Sequence, residues 1–367
     1  MVTRREFVHA GAAAAGVVAL EGCAPAGDHS SYDSAVRRTW RVAERVPSDP
    51  PLVLRELVRY ATLAPSSHNT QCWTFAISPR SITIAADFSR RCPAVDPDDH
   101  HLFTSLGCAA ENLLQAAAAN GFHGEVTFDS SAPAEVRIAL EPVQSVAAPL
   151  FTAIPARQCT RAEFDGQPLS NAELSLLQQA GTGNGVHTVL VTERRRMEEI
   201  LDQVVIANTA QMRDRAFVAE LKSWIRFSDD EAVQTGDGLF SRTTGNPSVP
   251  RWIGSLMFPL LFRTSHENDK YAKQIRSSAG IAIFASESDD RAQWVEAGRC
   301  YERFALQATA IGVRHAHLNQ PVEIAALRGS FARSVGIGDQ RPNLIVRFGR
   351  GPEMPRSLRR PLDAVMV

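Results

Sequence analysis

A short polar connection at residues 64–75 carries the side chains with the clearest chemical potential in this chain. It reads Ala-Pro-Ser-Ser-His-Asn-Thr-Gln-Cys-Trp-Thr-Phe and follows the helical apolar spacing of residues 54–61. Pro65 fixes its own backbone and biases its neighbour away from helix, so the following hydroxyl and amide groups point in defined directions. The pattern is typical of a loop that binds a polar, planar ligand rich in acceptors. An ordinary Ser/Asn-rich turn is the alternative.

Strand-like segments alternate with helical ones along the chain, and no Gly-x-Gly-x-x-Gly follows a strand. This order predicts a mixed α+β layered architecture rather than a dinucleotide-binding Rossmann domain. The predicted strands are Trp73–Ile77, Ser81–Asp87, Glu135–Leu140, His187–Thr192, Gly280–Ser286 and Leu344–Phe348.

An internal repeat organises the chain. A shift of 191 positions aligns identical residues over 98–121, namely Asp98/Asp289, Asp99/Asp290, Gly107/Gly298, Glu111/Glu302, Ala117/Ala308, Ala119/Ala310 and Gly121/Gly312. Each copy predicts a helix with acidic residues at its N-terminus, a glycine in the middle and a glycine at its end. Chance matching of two Ala-rich stretches is the alternative, but the paired acidic and glycine positions favour a duplication.

The repeat and the composition predict the domain boundaries. The segments are a signal at 1–26, a polar linker at 27–48, a first half at 49–150 and a second half at 151–367, with an insertion at 205–275. The insertion has no counterpart in the first half and combines an amphipathic helix at 217–225 with a Gly/Thr/Ser/Pro-rich stretch at 234–250. A long insertion of this kind predicts a lid, an interface or a mobile arm.

The first residues predict export. Arg4-Arg5 followed by Phe7 matches a twin-arginine signal, and Gly11–Leu20 is a weakly hydrophobic stretch. Leu20-Glu21-Gly22-Cys23 resembles a lipoprotein cleavage box, with Cys23 as the lipidated residue and membrane attachment as the consequence. Cleavage after Ala24-Pro25-Ala26 and a frayed N-terminal helix are the alternatives. The twin-arginine route carries folded proteins, so the expected location is periplasmic or otherwise extracytoplasmic.

Bulk properties exclude several classes of function. The formal net charge of −1 gives no sign of a nucleic-acid partner, and 44% hydrophobic with 22% charged residues is typical of a globular protein. Apart from Cys23, five scattered cysteines form no Cys-x-x-Cys pair and cannot all pair within one chain. Adjacent histidines at 100–101, and a His-x-His at 315–317, lack metal-ligand spacing, so we expect no metal site.

The loop at 65–71 resembles the Pro-Ser-Ser-x-Asn-x-Gln-Pro-Trp signature of the nitroreductase family, with Cys72 where that family usually has proline. The closest resemblance is to the duplicated, single-chain Acg-type branch, and it covers nearly all of residues 50–367. It implies a nitroreductase-like α+β fold of two fused repeats, each a mainly antiparallel sheet flanked by helices, plus a lid insertion. Two fused halves would imitate the family's homodimer within one chain, so a monomer is expected.

The resemblance also implies an FMN site at the boundary of the halves. The loop would contribute Pro65, Ser66, Ser67, Asn69 and Gln71, and its second-half counterpart at 180–187 lacks Pro-Ser-Ser, which implies one flavin per chain. The segment Ile154–Phe164 resembles the family's Arg-x-x-x-Arg-x-Phe opening, so Arg157, Thr160 and Arg161 would bind the phosphate. The closing Arg-Arg-Pro-Leu segment would add Arg359 and Arg360, and the strand after the second repeat helix would add His317, Leu318 and Asn319.

The implied function is an FMN-dependent oxidoreductase that passes electrons to a nitroaromatic, quinone or similar acceptor, with donor and acceptor unidentified. No catalytic side chain need be assigned, because the flavin carries the redox chemistry. A protein that stores or sequesters FMN is the main alternative, since nicotinamide donors are scarce outside the cytoplasm. A partner-binding lipoprotein that has lost flavin is a third reading, which the intact loop disfavours.

Overall fold

The computed structural model describes residues 29–42, 49–131, 134–145 and 148–367. The twin-arginine motif and Cys23 lie outside the described residues. The helices, numbered α1 to α13, are His29–Thr39, Pro50–Thr62, His100–Ala119, Pro149–Ala153, Asn171–Ala180, Arg194–Arg213, Arg215–Trp224, Asp229–Thr235, Arg251–Leu261, Thr264–Arg276, Arg291–Ala310, Gln320–Glu323 and Ala325–Val335. The strands, numbered β1 to β10, are Trp73–Ser78, Ser81–Ala86, Phe122–Asp129, Glu135–Pro142, Val186–Val191, Ile225–Arg226, Leu239–Phe240, Gly280–Ser286, Arg314–His317 and Arg341–Gly349.

Two four-stranded antiparallel sheets form the framework. Their strand orders are β1-β2-β4-β3 and β5-β8-β10-β9, and a short parallel pair, β6-β7, lies in the insertion. The series β1, β2, α3, β3, β4 recurs as β5, β8, α11, β9, β10, so each half is the same sheet-and-helix unit. The predicted α+β class with two antiparallel repeats is confirmed.

All six predicted strands are observed, and two more complete the sheets. Leu344–Phe348 extends to Arg341–Gly349, a strand buried along its whole length. The sequence did not reveal β3, whose half-exposed residues lack a dense apolar pattern, or β9, which is only four residues long and reads Arg-His-Ala-His.

The repeated helices α3 and α11 cross at the centre of the molecule, and glycine makes the crossing close. A methyl group added at Gly107 would lie 1.9 Å from the Val295 carbonyl oxygen, and one added at Gly298 would lie 1.9 Å from the Thr104 carbonyl oxygen. The same shift of 191 positions relates Gly107 to Gly298 and Thr104 to Val295, so the two contacts are equivalent. The crossing therefore has the reciprocal character of a two-fold interface.

The acidic residues before the two helices have different roles. Asp290 caps α11 through its side chain, which accepts from the Gln293 backbone N–H. Asp99 makes no such bond and pairs with Arg91 instead. In the first half the cap comes from Asp96, which accepts the backbone N–H groups of the first two residues after His100. Asp99 itself has a left-handed backbone (φ 60°) and does not cap α3 through its side chain.

The insertion and the segment before the first half both contain packed structure. The hairpin β1-β2 corresponds to the pair β5-β8, and the chain that connects β5 to β8, residues 192–279, includes the predicted insertion at 205–275. Within the expected linker at 27–48, α1 is a packed helix whose Tyr32 and Ala35 are buried against Ala232 and Phe240 of the insertion. The apolar residues of α1 were too few for the sequence pattern to reveal the helix.

No helix among the described residues is long and apolar enough to cross a membrane. The five cysteines of the described chain are free thiols, and Cys72 is buried. Burial raises the pKa of the Cys72 thiol to about 12. Cys72 is therefore an inert core residue at neutral pH.

Candidate functional site

The Pro65–Gln71 loop has an unusual backbone. His68, Asn69 and Gln71 adopt positive φ values of 49°, 54° and 53°. For residues with a Cβ, the left-handed region costs roughly 1–2 kcal/mol each, so surrounding contacts must stabilise the loop. One such contact is internal, because the Gln71 backbone N–H donates to the Ser66 hydroxyl oxygen at 2.9 Å. The strain and its compensation mark this loop as a specified structure rather than an ordinary turn.

The amide side chains of the loop bind two other parts of the chain. Asn69 Nδ2 donates to the carbonyl oxygens of Gly238 (3.0 Å) and Leu358 (3.2 Å). Gln71 Nε2 donates to the Gly236 carbonyl (2.8 Å), and its Oε1 accepts from the Arg360 backbone N–H (2.8 Å). Asn69 and Gln71, expected to contact the flavin, therefore fasten the insertion and the C-terminal segment to the loop.

An ionic cluster strengthens the same junction. Asp237 Oδ1 accepts from Arg226 Nη2 at 2.6 Å, and its other oxygen pairs with Arg90 of the first half. Arg90 also donates to the Thr70 carbonyl. Both guanidinium groups lie over the Trp224 ring, at 5.4 and 5.7 Å from its centroid. Arg90 and Arg226 therefore share the single carboxylate of Asp237 in this cluster.

Substitution of Asp237 by alanine should loosen the insertion. The two arginines would then repel each other in a half-buried setting, which should cost about 2–3 kcal/mol of stability. We expect a lower melting temperature and faster proteolysis within 234–250. Asp269→Ala, an exposed position on α10 of the same insertion, is the matched control. Cleavage of the two variants at equal rates would contradict the fastening role.

Arg157, predicted to bind the phosphate, contacts protein groups. The side chain is buried, with Nε 3.0 Å from Glu302 Oε1, and its Nη2 donates to the Leu63 carbonyl at 2.9 Å. Glu302 raises the pKa of Arg157 despite the opposing effect of burial. Thr160 is also buried, and its hydroxyl lies 3.3 Å from Gln158 Oε1. The sequence pattern alone could not identify these partners of Arg157 and Thr160.

Arg359 and Arg360 are similarly engaged. Arg359 donates to the carbonyl oxygens of Thr62, Leu63 and Ala64, which are the free acceptors at the end of α2. Arg360 donates from Nη2 to the Ala364 carbonyl at 2.7 Å. The closing segment therefore attaches the C-terminus to the α2 end and to the Pro65–Gln71 loop.

The predicted residues after α11 divide between structure and site. Leu318 is buried, and its backbone N–H donates to the Ile345 carbonyl. Asn319 Oδ1 accepts from the Ile345 backbone N–H at 2.9 Å. His317 differs, because its Nδ1 atom is buried and makes no hydrogen bond with any described residue. Its ring lies 4.8 Å from that of Tyr301.

A cluster of unsatisfied polar groups lies between the two halves. His68 Nε2, from the first-half loop, is buried without a hydrogen-bond partner in the described chain, like His317 Nδ1. Burial, with the charge of Arg161 second, lowers the pKa of His68 to about 4 and that of His317 to about 3. Both imidazoles are therefore neutral at pH 7 and lie within the field of one cation.

Arg161 and Lys270 supply the positive charge of this cluster. Neither side chain forms a hydrogen bond or an ion pair with another residue of the part that the structure describes. Burial lowers the pKa of Lys270, and Arg161 adds to the effect while Glu267 opposes it. Neighbouring cations that form no ion pair are the kind of groups that bind a multiply charged anion.

Sequence reasoning named Arg161 and His317 but missed Lys270, and it did not assign His68 to the site. Lys270 lies on α10 of the insertion, where no motif distinguishes it from a surface lysine. His68 was visible inside the loop, but only its left-handed backbone turns the ring inward. Pro65 and Ser67 belong to the same loop. The Ser67 side chain forms no hydrogen bond with another residue of the part that the structure describes.

A second group of titratable residues lies at the start of α3. Ligand-type atoms of Asp96, His100 and His101 lie within 4.8 Å of one another. Asp96 already accepts two backbone N–H groups, and His100 Nε2 lies 3.0 Å from Asn343 Oδ1. The spacing along the chain did not reveal this proximity, because Asp96 precedes the helix.

Comparisons with known proteins agree with the resemblance inferred from the motifs. No family model matches the chain. A Mycobacterium tuberculosis (H37Rv) protein with the provisional name NAD(P)H nitroreductase is 26% identical over 324 residues, which cover 85% of this chain and 90% of the relative. A second protein of that organism, provisionally named NAD(P)H nitroreductase acg, is 23% identical over 85% of this chain and 95% of its own. The predicted similarity to nitroreductases of the Acg type is confirmed.

Solved structures with some similarity include nitroreductases. One, from Desulfitobacterium hafniense with bound FMN, gives a TM-score of 0.37 at 12% identity, over 57% of this chain and 94% of that one. The FMN-dependent nitroreductase NfnB from Mycobacterium smegmatis, in complex with NADPH, gives 0.38 at 12% identity, over 59% and 96%.

Proposed function

We propose that this protein is an FMN-dependent, nitroreductase-like oxidoreductase that holds one flavin per chain where its two halves meet. Bound FMN would supply the redox chemistry, accepting electrons from a donor and passing them to an acceptor. The curated relatives, which align with 85% of this chain, are named as nitroreductases, and this supports the reaction class. The polypeptide's own contribution is to bind, orient and shield the cofactor.

The observation that carries the proposal is the cluster of Arg161, Lys270, His68 and His317. Its cations form no ion pair with a described residue, which leaves them available to a phosphate, and its neutral imidazoles offer unused hydrogen-bonding nitrogens. His68 comes from the first half, while Arg161 and His317 come from the second. The residues therefore fit a ligand that combines a phosphate with a polar ring and lies between the halves.

The counterpart loop at 180–187 supports a single flavin. A methyl group added at Gly181 would lie 2.4 Å from Thr188 Oγ1, and one at Gly183 would lie 2.4 Å from Glu296 Oε1. The glycines thus let this loop pack tightly against its own half. Such close packing favours a structural role for this loop over a second cofactor site.

A flavin-sequestering protein is the second candidate, and the fastened insertion favours it. Asn69 and Gln71 bind the insertion to the first-half loop, and Asp237 of the insertion pairs with Arg90 of the first half. We propose that this part of the insertion acts as a lid, which would protect a bound flavin and also restrict access to it. A permanently closed lid would favour storage, whereas a lid that opens would favour turnover.

A spectrum of the purified protein separates these functions. We expect flavin absorbance near one equivalent per chain, which bleaches when NADH or NADPH is added without oxygen. Bound flavin that neither reductant bleaches would favour sequestration, and a colourless protein that takes up no added FMN would contradict both.

Arg161 should contribute to the affinity for the FMN phosphate and not to the affinity for the flavin ring. Replacement by glutamine removes a charge-assisted contact worth about 1.5–3 kcal/mol, so FMN affinity should fall roughly 10- to 100-fold. Riboflavin lacks the phosphate, so its affinity should not change. Titration of the apoprotein with both ligands measures the difference, with Arg195→Gln on the exposed face of α6 as the control. Equal weakening of FMN and riboflavin would contradict a phosphate contact.

We also propose export by the twin-arginine route, supported by Arg4-Arg5 and the apolar stretch that follows. Lipidation of Cys23 and cleavage after Ala26 are its two variants. Fractionation of producing cells tests the proposal, since complete recovery of the protein in the cytoplasm would contradict it.

A further inference from the structure

The helix α9 exposes a broad apolar face. Trp252, Leu256 and Leu260 are 70%, 67% and 54% exposed, and their spacing of four residues aligns them along one side. Met257 and Leu261 lie beside them, at 37% and 58% exposure. Contiguous exposed apolar surface of this kind marks an interaction site more often than scattered single residues do.

The orientation of α9 is fixed by its opposite side. Gly254 lies against the Phe227 ring so closely that an added methyl group would be 2.2 Å from Cδ1. Lys222 Nζ donates to the Ser255 carbonyl at 3.2 Å and lies 5.7 Å from the Phe258 ring centroid. The exposed face is therefore a consequence of specific packing and not of fraying.

The charged residues that flank α9 in the sequence are basic, and one of them, Arg251, is paired with Glu231 of α8. Residues 238–266 contain no Asp or Glu, whereas Arg251 precedes the helix face and Arg263 follows it. Tryptophan at one end and arginine at both ends are typical of a helix that lies in the plane of an anionic membrane surface.

We propose that the apolar face of α9 inserts into the interfacial region of an anionic phospholipid bilayer. The position of the N-terminus agrees with this. Helix α1 packs on α8, and Arg251 of α9 pairs with Glu231 of α8. Cys23 precedes α1 by six residues, a reach of at most about 20 Å. The described chain thus begins on the side that carries α9, although the proposal requires neither lipidation nor a bound flavin.

The test uses the full chain with Cys23→Ser, so that no acyl chain is present. Because residues 11–20 are themselves apolar, flotation alone would not report on α9. Quenching of tryptophan fluorescence by brominated acyl chains does report on α9. The chain has five tryptophans, and Trp252→Phe removes the one on α9, so the difference between the two proteins is the signal of Trp252. We expect quenching with vesicles that contain phosphatidylglycerol, weaker quenching with phosphatidylcholine alone, and loss of the quenched component in Trp252→Phe.

The variant Leu256→Asp/Leu260→Asp should lower Trp252 quenching at least tenfold without changing the melting temperature, because both side chains are exposed. Leu176→Asp, at an exposed leucine of α5, is the matched control. Equal quenching in the two variants would overturn the proposal, as would absence of Trp252 quenching with anionic vesicles. Dimers that dissociate only in Leu256→Asp/Leu260→Asp would also overturn it and would assign the face to a second copy.

Discussion

Replacing Gly298 by alanine should destabilise the protein by about 3 kcal/mol or more, because the new methyl group has no space at the crossing of α3 and α11. The atom it would meet, the Thr104 carbonyl oxygen at 1.9 Å, belongs to the backbone and cannot rotate away. The two helices would have to separate, and the core on both sides would lose contacts. We expect an apparent melting temperature lower by roughly 5 °C or more.

Gly329→Ala provides the matched control. Gly329 also lies inside a helix, α13, but the nearest atom to an added methyl group is a flexible Arg333 nitrogen at 3.6 Å. Helix propensity alone should then make this variant more stable by up to about 1 kcal/mol. Gly107→Ala should behave like Gly298→Ala. The double variant should lose less than the sum, because one separation of the helices accommodates both methyl groups. A Gly298→Ala protein that melts like wild type would contradict the close crossing.

The repeat explains why so much of the fold could be predicted. Gly107 and Gly298 make equivalent contacts where the two repeated helices cross, so both positions require glycine. The repeat is therefore visible in the sequence as identical residues 191 positions apart. Alternating or continuous apolar runs likewise revealed six strands. The strand β9 and the helix α1 were missed because their stability comes from neighbours distant in sequence, as for Tyr32 against Phe240.

The candidate site was harder to predict, since the partners of motif side chains can come from segments that carry no motif. Asn69 and Gln71 keep the family spacing, but in this structure their amides bind the insertion, a segment without a recognisable motif. Lys270 comes from the same insertion. Spacing identifies the residue types near a site, whereas the partner of each side chain depends on packing between distant segments.

Arg157 illustrates the difference, and its removal should have the second large effect. Arg157→Met leaves the carboxylate of Glu302 without its partner in a fully buried position, which should cost about 3–5 kcal/mol at pH 8. Burial raises the pKa of Glu302 to about 7, while Arg157 opposes the rise. Without Arg157 the pKa should rise further. The folded variant would then bind a proton that the unfolded chain binds only near pH 4.5, so its stability should increase as the pH falls from 8 towards 5.

The double variant Arg157→Met/Glu302→Leu separates the ion pair from a role in phosphate binding. Because it removes both charges and keeps apolar volume, it should recover most of the stability that Arg157→Met loses. Thermal unfolding of the apoproteins at pH 6 and pH 8 measures this without any contribution from flavin. If the Arg157→Met apoprotein melted like wild type and only FMN retention were lost, the phosphate role inferred from the motif would be correct. Loss of stability that the second substitution restores would instead establish Arg157 and Glu302 as a buried pair that joins the opening of the second half to the repeat helix α11.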